Sequence, residues 1–262
     1  MNCVFADPNI LKRIVAALSK DLGLVNFYFD ESGLKINAMN DSHTDMREFV
    51  LDQSFFVSYT CVQPIVIGVN ITVLNMFIKT AGLKDTIIWN CKPEPTIMTI
   101  LIQDASENKT STEFALKLID FEEDALSLPQ DIEWDCHFRI GTALLRQWIA
   151  KSKLIDGNVC LGIEKGKEIK VEVKSDTMGT ISIKQPIPSV MAQMVQSTPT
   201  FTRTEKILSS KEADCLDVLI QCSPGVDIQY ETSMPICCTS YLDKDKKSYV
   251  RLWIAPMSTE EE

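Results

Sequence analysis

The sequence predicts an α+β chain made of two similar halves, each built from short strands and a few amphipathic helices. Three observations carry that prediction. Most apolar segments, such as 25–29, 97–102 and 249–254, are short, rich in β-branched and aromatic residues, and bounded by polar or glycine-containing turns. Only four segments place apolar residues at helical spacing. The succession of helix, strand, tight turn and strand occurs near the N-terminus and again from about residue 142.

The first helix is expected over about 8–22. Asp7 is a suitable N-cap, and Pro8 suits the first helical position, where no backbone N–H is needed. Leu11, Ile14, Val15, Leu18 and Leu22 recur every three or four residues, and Gly23 can end the helix. The second helix starts after Asn70, buries Val73, Leu74, Phe77 and Ile78, and ends at Gly82. The third starts near Thr142, with Leu144, Leu145, Trp148 and Ile149 on one side. The fourth is expected over about 204–219, with Ile207, Leu208, Cys215, Leu216 and Leu219 as its apolar face. Helix one is followed by a strand at 25–29, a turn at 30–33 and a strand at 34–36; helix three is followed by 159–163, 164–167 and 169–171 in the same roles. Arg13 and Arg146 lie 133 residues apart, as do Lys20 and Lys153, while Lys79 and Lys211 lie 132 apart. A period of this length means a duplicated domain.

The joint is acidic, contains Pro129 and shows no sustained period, so it reads as an extended surface loop. Leu126 and Leu128 are apolar for such a loop. They either pin it onto a domain or line a docking site. The expected organisation is a domain over 1–118, a connecting loop over 119–134, a second domain over 135–257 and an acidic tail over 258–262.

Hydrophobic residues make up 45% of the 262, which is ample for a sizeable core. No apolar run reaches the roughly 18 residues of a membrane helix. The N-terminal stretch lacks a basic start and a signal-peptide apolar core, so an intracellular chain with no membrane partner is expected. Nine scattered cysteines form no C-x-x-C pair and are expected as thiols rather than zinc ligands. The only histidines are His43 and His137, and no nucleophile elbow, phosphate loop or H-E-x-x-H motif occurs. Glu122 and Glu123 sit in the loop, where no pocket would raise a pKa for acid–base work. No catalytic residue, metal or cofactor is expected.

A net charge of −10 argues against nucleic acid if it is spread evenly. It is not spread evenly. Arg13 and Lys20 share the helix face opposite Leu11, Ile14 and Leu18, and Arg146 and Lys153 repeat their spacing. Any amphipathic helix collects lysines on its solvated face; recurrence in both halves is what distinguishes this pattern. Of 36 acidic residues only Asp21 falls in the first three helices, at the very end of one. The fourth helix differs, with Glu205, Glu212, Asp214 and Asp217 beside Lys206 and Lys211.

Four stretches together resemble the proliferating cell nuclear antigen family, the eukaryotic and archaeal-type sliding clamps. They are Met39-Asn40-Asp41-Ser42-His43; Gly68-Val69-Asn70-Ile71-Thr72 with the helix through Lys79-Thr80-Ala81-Gly82; Lys117-Leu118-Ile119-Asp120 through Leu126, Leu128 and Pro129; and Ile254-Ala255-Pro256 before Glu260-Glu261-Glu262. Each is weak alone, but their order and spacing fit over essentially the whole chain. The stretch 180–204, with Pro186, Pro188 and Pro199, matches poorly.

The resemblance implies a DNA clamp fold: two domains of β-sheets with inner helices, three chains closing into a homotrimeric ring around duplex DNA. It implies a nuclear, non-enzymatic polymerase processivity factor that tethers replication and repair proteins and needs no cofactor. Lys12, Arg13, Lys20, Lys79, Arg146 and Lys153 would face phosphates without reading bases. Segment 111–118 of one chain would pair with 169–175 of the next, bringing Lys170 and Lys174 against Glu113. DNA polymerase, the clamp loader and other partners would each supply a short peptide with two aromatics and an aliphatic residue. That peptide would dock on Met39, His43, Leu126, Leu128, Pro129, Pro235, Trp253, Ala255 and Pro256. Met76 and Ala150 stand where the family is usually basic and Thr44 where it is usually apolar, so a weaker lining charge and a more polar pocket are expected. The divergence points to a viral or second-copy clamp. The competing readings are a subunit of a heterotrimeric checkpoint-type clamp, against which the retained loop and Ala255-Pro256 argue, and a two-domain α+β enzyme with an unrecognised acidic site.

Overall fold

A computed structural model describes residues 1–5, 7–20, 22–40, 42–104, 110–120, 132–155, 158–164, 168–175, 177–186, 196–197, 203–208, 216–231 and 234–255. The chain divides into two units. One comprises Met1–Asp41, Arg47–Ser127 and Leu242–Val250; the other comprises Ser42–Met46, Leu128–Tyr241 and Arg251–Glu262.

In the first unit, β1 (Asn2–Phe5) precedes α1 (Pro8–Leu18). The Asp7 carboxylate accepts the Asn9 N–H at 2.8 Å, and Pro8 fills the first turn, as their chemistry dictates. Leu11, Ile14, Val15 and Leu18 are buried. The helix stops at Leu18, one turn short of the expected end; the Ser19 hydroxyl donates to the Ala16 carbonyl at 3.0 Å, and the Leu22 N–H still reaches the Leu18 carbonyl at 3.2 Å. Leu22 is still buried, from outside the helix. α2 (Ile71–Lys79) is capped by the Asn70 side chain, which accepts the Val73 N–H at 3.1 Å. It too ends before its expected glycine; the Gly82 N–H is held by the Asp85 carboxylate at 2.6 Å. Leu74 and Ile78 are buried, whereas Val73 and Phe77 are half-buried, and Phe77 stacks on Phe114 with 4.6 Å between ring centroids.

The remaining strands of this unit are β2 (Leu24–Asp30), β3 (Gly33–Met39), β4 (Asp45–Asp52), β5 (Ser58–Thr60), β6 (Ile65–Asn70), β7 (Thr86–Asn90), β8 (Ile97–Gln103) and β9 (Ser111–Lys117). One sheet runs β5-β1-β7-β8-β9, so β9 is an edge; a second succession runs β4-β3-β2-β6. The turn between β2 and β3 needs glycine: Gly33 has φ +140°, and a Cβ there would lie 2.0 Å from the Leu51 carbonyl oxygen.

In the second unit, β10 (Cys136–Gly141) runs into α3 (Thr142–Ser152), followed by β11 (Asn158–Glu164), β12 (Glu168–Ser175), β13 (Gly179–Pro186), β14 (Gln196–Ser197) and β15 (Arg203–Leu208). Then come α4 (Asp217–Cys222), β16 (Gly225–Tyr230), β17 (Ile236–Tyr241) and β18 (Tyr249–Ile254). Strands order as β13-β12-β11-β15 and as β14-β10-β16-β17-β18.

Three expectations are corrected here. The fourth helix is not a helix at its expected start: 203–208 is a strand, with Leu208 opposite Val159 and Thr204 opposite Ile163 on β11. Ladder hydrogen bonds to a long partner strand override a local spacing that a short apolar run shares with helices. Among the described residues of that range only the start of α4 is helical, and Lys211, Glu212, Asp214 and Cys215 lie outside the described residues. The second correction is the pairing segment 169–175, which belongs to β12, an interior strand; the edge is β13. The third concerns the repeat. Buried Leu11, Ile14 and Val15 answer to buried Leu145, Trp148 and Ile149, an offset of 134, and the first hairpin strands start at 24 and 158. Packing thus sets Lys12 against Arg146 and Arg13 against Gln147, one residue out of step with the repeat of the arginines.

Cys3, Cys91, Cys160, Cys237 and Cys238 are buried thiols, as small apolar core residues. Burial pushes the Cys91 thiol up to about 11, so it stays protonated.

Candidate functional site

Helices α1, α2 and α3 contain no aspartate or glutamate, and Asp21 lies outside the described residues. Their outward positions hold the predicted cations. Arg13, Lys79 and Arg146 are exposed on the helices; Lys20 and Lys153 are exposed just beyond the ends of α1 and α3. Lys79 sits in the last turn of α2, where the carbonyl end of the helix favours a cation. Lys151, which the repeat argument does not single out, is also exposed on α3.

Lys12 is placed differently. It is half-buried, and its ammonium donates to the Ala81 carbonyl just beyond α2. A second tie joins the same two helices: the Asn75 amide donates to the Ser19 hydroxyl at 2.6 Å. Lys12 thus fastens α1 to the end of α2. In the second unit Lys153 lies 3.9 Å from the Asp217 carboxylate on α4, so an acid from that helix offsets part of the positive face. Uncharged residues interrupt it as well: Met76 is 64% exposed and Leu154 is 68% exposed, with Ala150 exposed between Arg146 and Leu154.

The two sheet edges carry half-covered apolar residues. On β9 Phe114 stands opposite fully buried Ile100 yet is itself half-buried, and Glu113 beside it is exposed. On β13 Ile181 and Ile183 face buried Val173 and Val171 but are half-buried, and Lys184 is exposed. Lys170 and Lys174 stand on β12. Both lie against Glu172 on their own strand, at 2.7 and 3.8 Å. The Lys170 hydrogen bond holds the Glu172 carboxyl below its usual range.

The predicted docking residues divide. Met39 is half-buried at the end of β3. His43 is exposed with φ 55°, a left-handed turn position that histidine tolerates better than most residues. The neighbouring Thr44 carbonyl accepts the Ala255 N–H at 2.9 Å, so that amide is already paired. Pro235 is half-buried. Trp253 is only 6% exposed, and its ring lies 6.0 Å from that of Trp134, which ends the expected loop. Trp253 is thus a packed core residue rather than an open wall. Trp134 is the partner that periodicity alone had no means of finding. Leu126, Leu128, Pro129 and Pro256 lie outside the described residues.

Among known proteins, residues 1–125 match the family model described as proliferating cell nuclear antigen, N-terminal domain. Proliferating cell nuclear antigen 1 of Plasmodium falciparum is 31% identical over 123 residues, covering 47% of this chain and 44% of that protein. The proliferating cell nuclear antigen of Chaetomium thermophilum is 30% identical over 122 residues, covering 47% of each. Against these two relatives the chain spans less than half their length. The Saccharomyces cerevisiae protein is 22% identical over 265 residues, covering 98% of both chains. The sheets and sparse helices seen here are those of a clamp fold, residues 1–125 carry the N-terminal domain of the proliferating cell nuclear antigen family, and the chain as a whole is similar to a proliferating cell nuclear antigen.

Proposed function

We propose that the chain is a DNA sliding clamp, a non-enzymatic processivity factor whose homotrimer closes around duplex DNA and tethers replication and repair proteins to it. One observation carries the reading beyond family likeness: α1, α2 and α3 present cations and no acids, in a chain of net charge −10. Topological holding needs only a mildly positive lining, so the rest of the surface is free to be acidic. Cations facing phosphates confer no base preference. In this reading 1–118 and 135–257 are the clamp domains, joined by 119–134, and the nucleus is the site of action.

Ring closure follows from the edges. An open strand with half-covered apolar residues seeks a partner, and β9 of one chain against β13 of the next makes a head-to-tail contact that closes at the right rotation. Glu113 and Lys184 then bring opposite charges to the seam. The partner peptide would dock on the second unit beside His43, Pro235 and Ala255, with Met39, Leu126, Leu128, Pro129 and Pro256 completing the surface by family likeness. Isothermal titration of a peptide with two aromatics and an aliphatic residue should show one site per chain with roughly micromolar affinity. Leu126→Ala with Leu128→Ala should weaken it about tenfold or more.

The deciding experiment is primer extension on circular DNA with a polymerase and a clamp loader. Product length should rise sharply when the chain is added. A trimer that loads onto the circle and leaves product length unchanged would sink the proposal.

A further inference from the structure

A cavity of about 40 Å³ lies under the buried side of α3 in the second unit. Among the described residues its walls come from α3, from strands β11, β12, β16, β17 and β18, and from Leu216 just before α4. The space exceeds the roughly 10–15 Å³ that one water needs, but a buried water also makes about three hydrogen bonds. The lining side chains carry only two polar groups, the Trp148 indole N–H and the weakly bonding Cys238 thiol. None is charged and none bears a hydroxyl, so water is a poor occupant.

The duplication shows what the cavity lacks. β2 starts at residue 24 and β11 at residue 158, an offset of 134. That offset sets Leu161 against Phe27, and their strand partners are Val171 and Ile36. In the first unit Phe27 is fully buried, and its ring stacks on Trp89 with 6.0 Å between centroids. In the second unit both positions hold smaller side chains, leucine for phenylalanine and valine for isoleucine. Trp148 and Ile149 are larger than Ile14 and Val15 at the same offset, yet the cavity remains. A ring that fills one copy of the core is therefore missing from the other. Side chains lining such a space forgo dispersion contacts that an apolar guest restores.

We infer that this cavity binds one small uncharged ring molecule, of the size of the ring that Phe27 supplies in the first unit. A guest there would brace the buried side of the helix whose exposed positions carry Arg146 and Lys151. A charged molecule would find no partner to offset its desolvation. The inference does not rest on the function proposed above.

The test uses the full-length chain with benzene as the probe and benzoate as its charged analogue. Saturation-transfer NMR should show benzene in contact with the wild-type protein, and excess benzene should raise the melting temperature by roughly 2–4 °C. Benzoate should do neither. Leu161→Phe places a ring in the cavity, so it should lose both benzene effects and melt above the wild type without ligand. Val171→Ile adds a single methylene and should weaken benzene binding, which keeps a readout if the larger replacement does not fold. No contact and no thermal shift with benzene in the wild type would overturn the inference. Equal effects of benzoate would overturn the apolar character of the site. Benzene binding that is unchanged in the folded variants would place the guest elsewhere and overturn it as well.

Discussion

Lys12 and Arg13 are adjacent in sequence, yet one reaches a carbonyl and the other reaches solvent. The difference comes from helix geometry: a step of about 100° turns Lys12 toward α2 and Arg13 away from it. Lys12→Met keeps the apolar stem and removes the tie to Ala81. It should cost about 1–2 kcal/mol in urea unfolding while leaving DNA loading near wild type. Arg13→Gln should do the reverse, with stability unchanged and loading reduced. Loading by Lys12→Met as poor as by Arg13→Gln, with stability intact, would return Lys12 to the DNA-facing set. Trp253 teaches the same lesson about the docking surface. An aromatic near a proline reads as a pocket wall until its packing against Trp134 is seen.

At the scale of elements, the edges decide assembly. Val171 and Val173 on interior β12 are 3% and 0% exposed, so acidic replacements there would damage the domain itself and say nothing of the ring. The informative replacement is on β13. Ile183→Asp should leave the far-ultraviolet spectrum intact and turn trimers into monomers in analytical ultracentrifugation; persistent trimers would remove β13 from the seam. The β12 charge cluster gives a pH signature. Glu172 is held below its usual carboxyl value by Lys170 and Lys174, so its contribution is present at neutral pH. It is lost as pH falls from the unfolded-chain value of 4.5 through the lower folded value. Wild type should therefore exceed Glu172→Gln in stability at pH 7 and converge with it in acid, as thermal unfolding across that range would show.

At the scale of the whole molecule, charge is segregated rather than scarce. Arg13→Glu together with Arg146→Glu should weaken loading on every DNA sequence alike and leave the trimer intact. Affinity should fall steeply with salt in the wild-type chain, and the slope should shallow by roughly 0.9 for each phosphate no longer neutralised. A marked preference for one DNA sequence in competition binding would contradict a lining that meets only phosphates. Exposed Met76, Ala150 and Leu154, with Asp217 beside Lys153, thin the positive face between these cations.

What the sequence determined by itself is local or compositional. The caps at Asp7 and Asn70, the start of α3 at Thr142 and the strand character of 25–29, 97–102 and 249–254 follow from side chains within a few residues of each position. The absence of acids from three helices and the family-like stretches are equally visible before folding. The tertiary structure decided what depends on partners distant in sequence. Whether 203–208 is helix or strand was settled by β11, about forty residues upstream. That β13 rather than β12 is an edge follows from strand order, which no local pattern encodes. The engagement of Lys12 by Ala81 and the burial of Trp253 belong to the same class, because a side chain's exposure is fixed by what the rest of the chain packs against it.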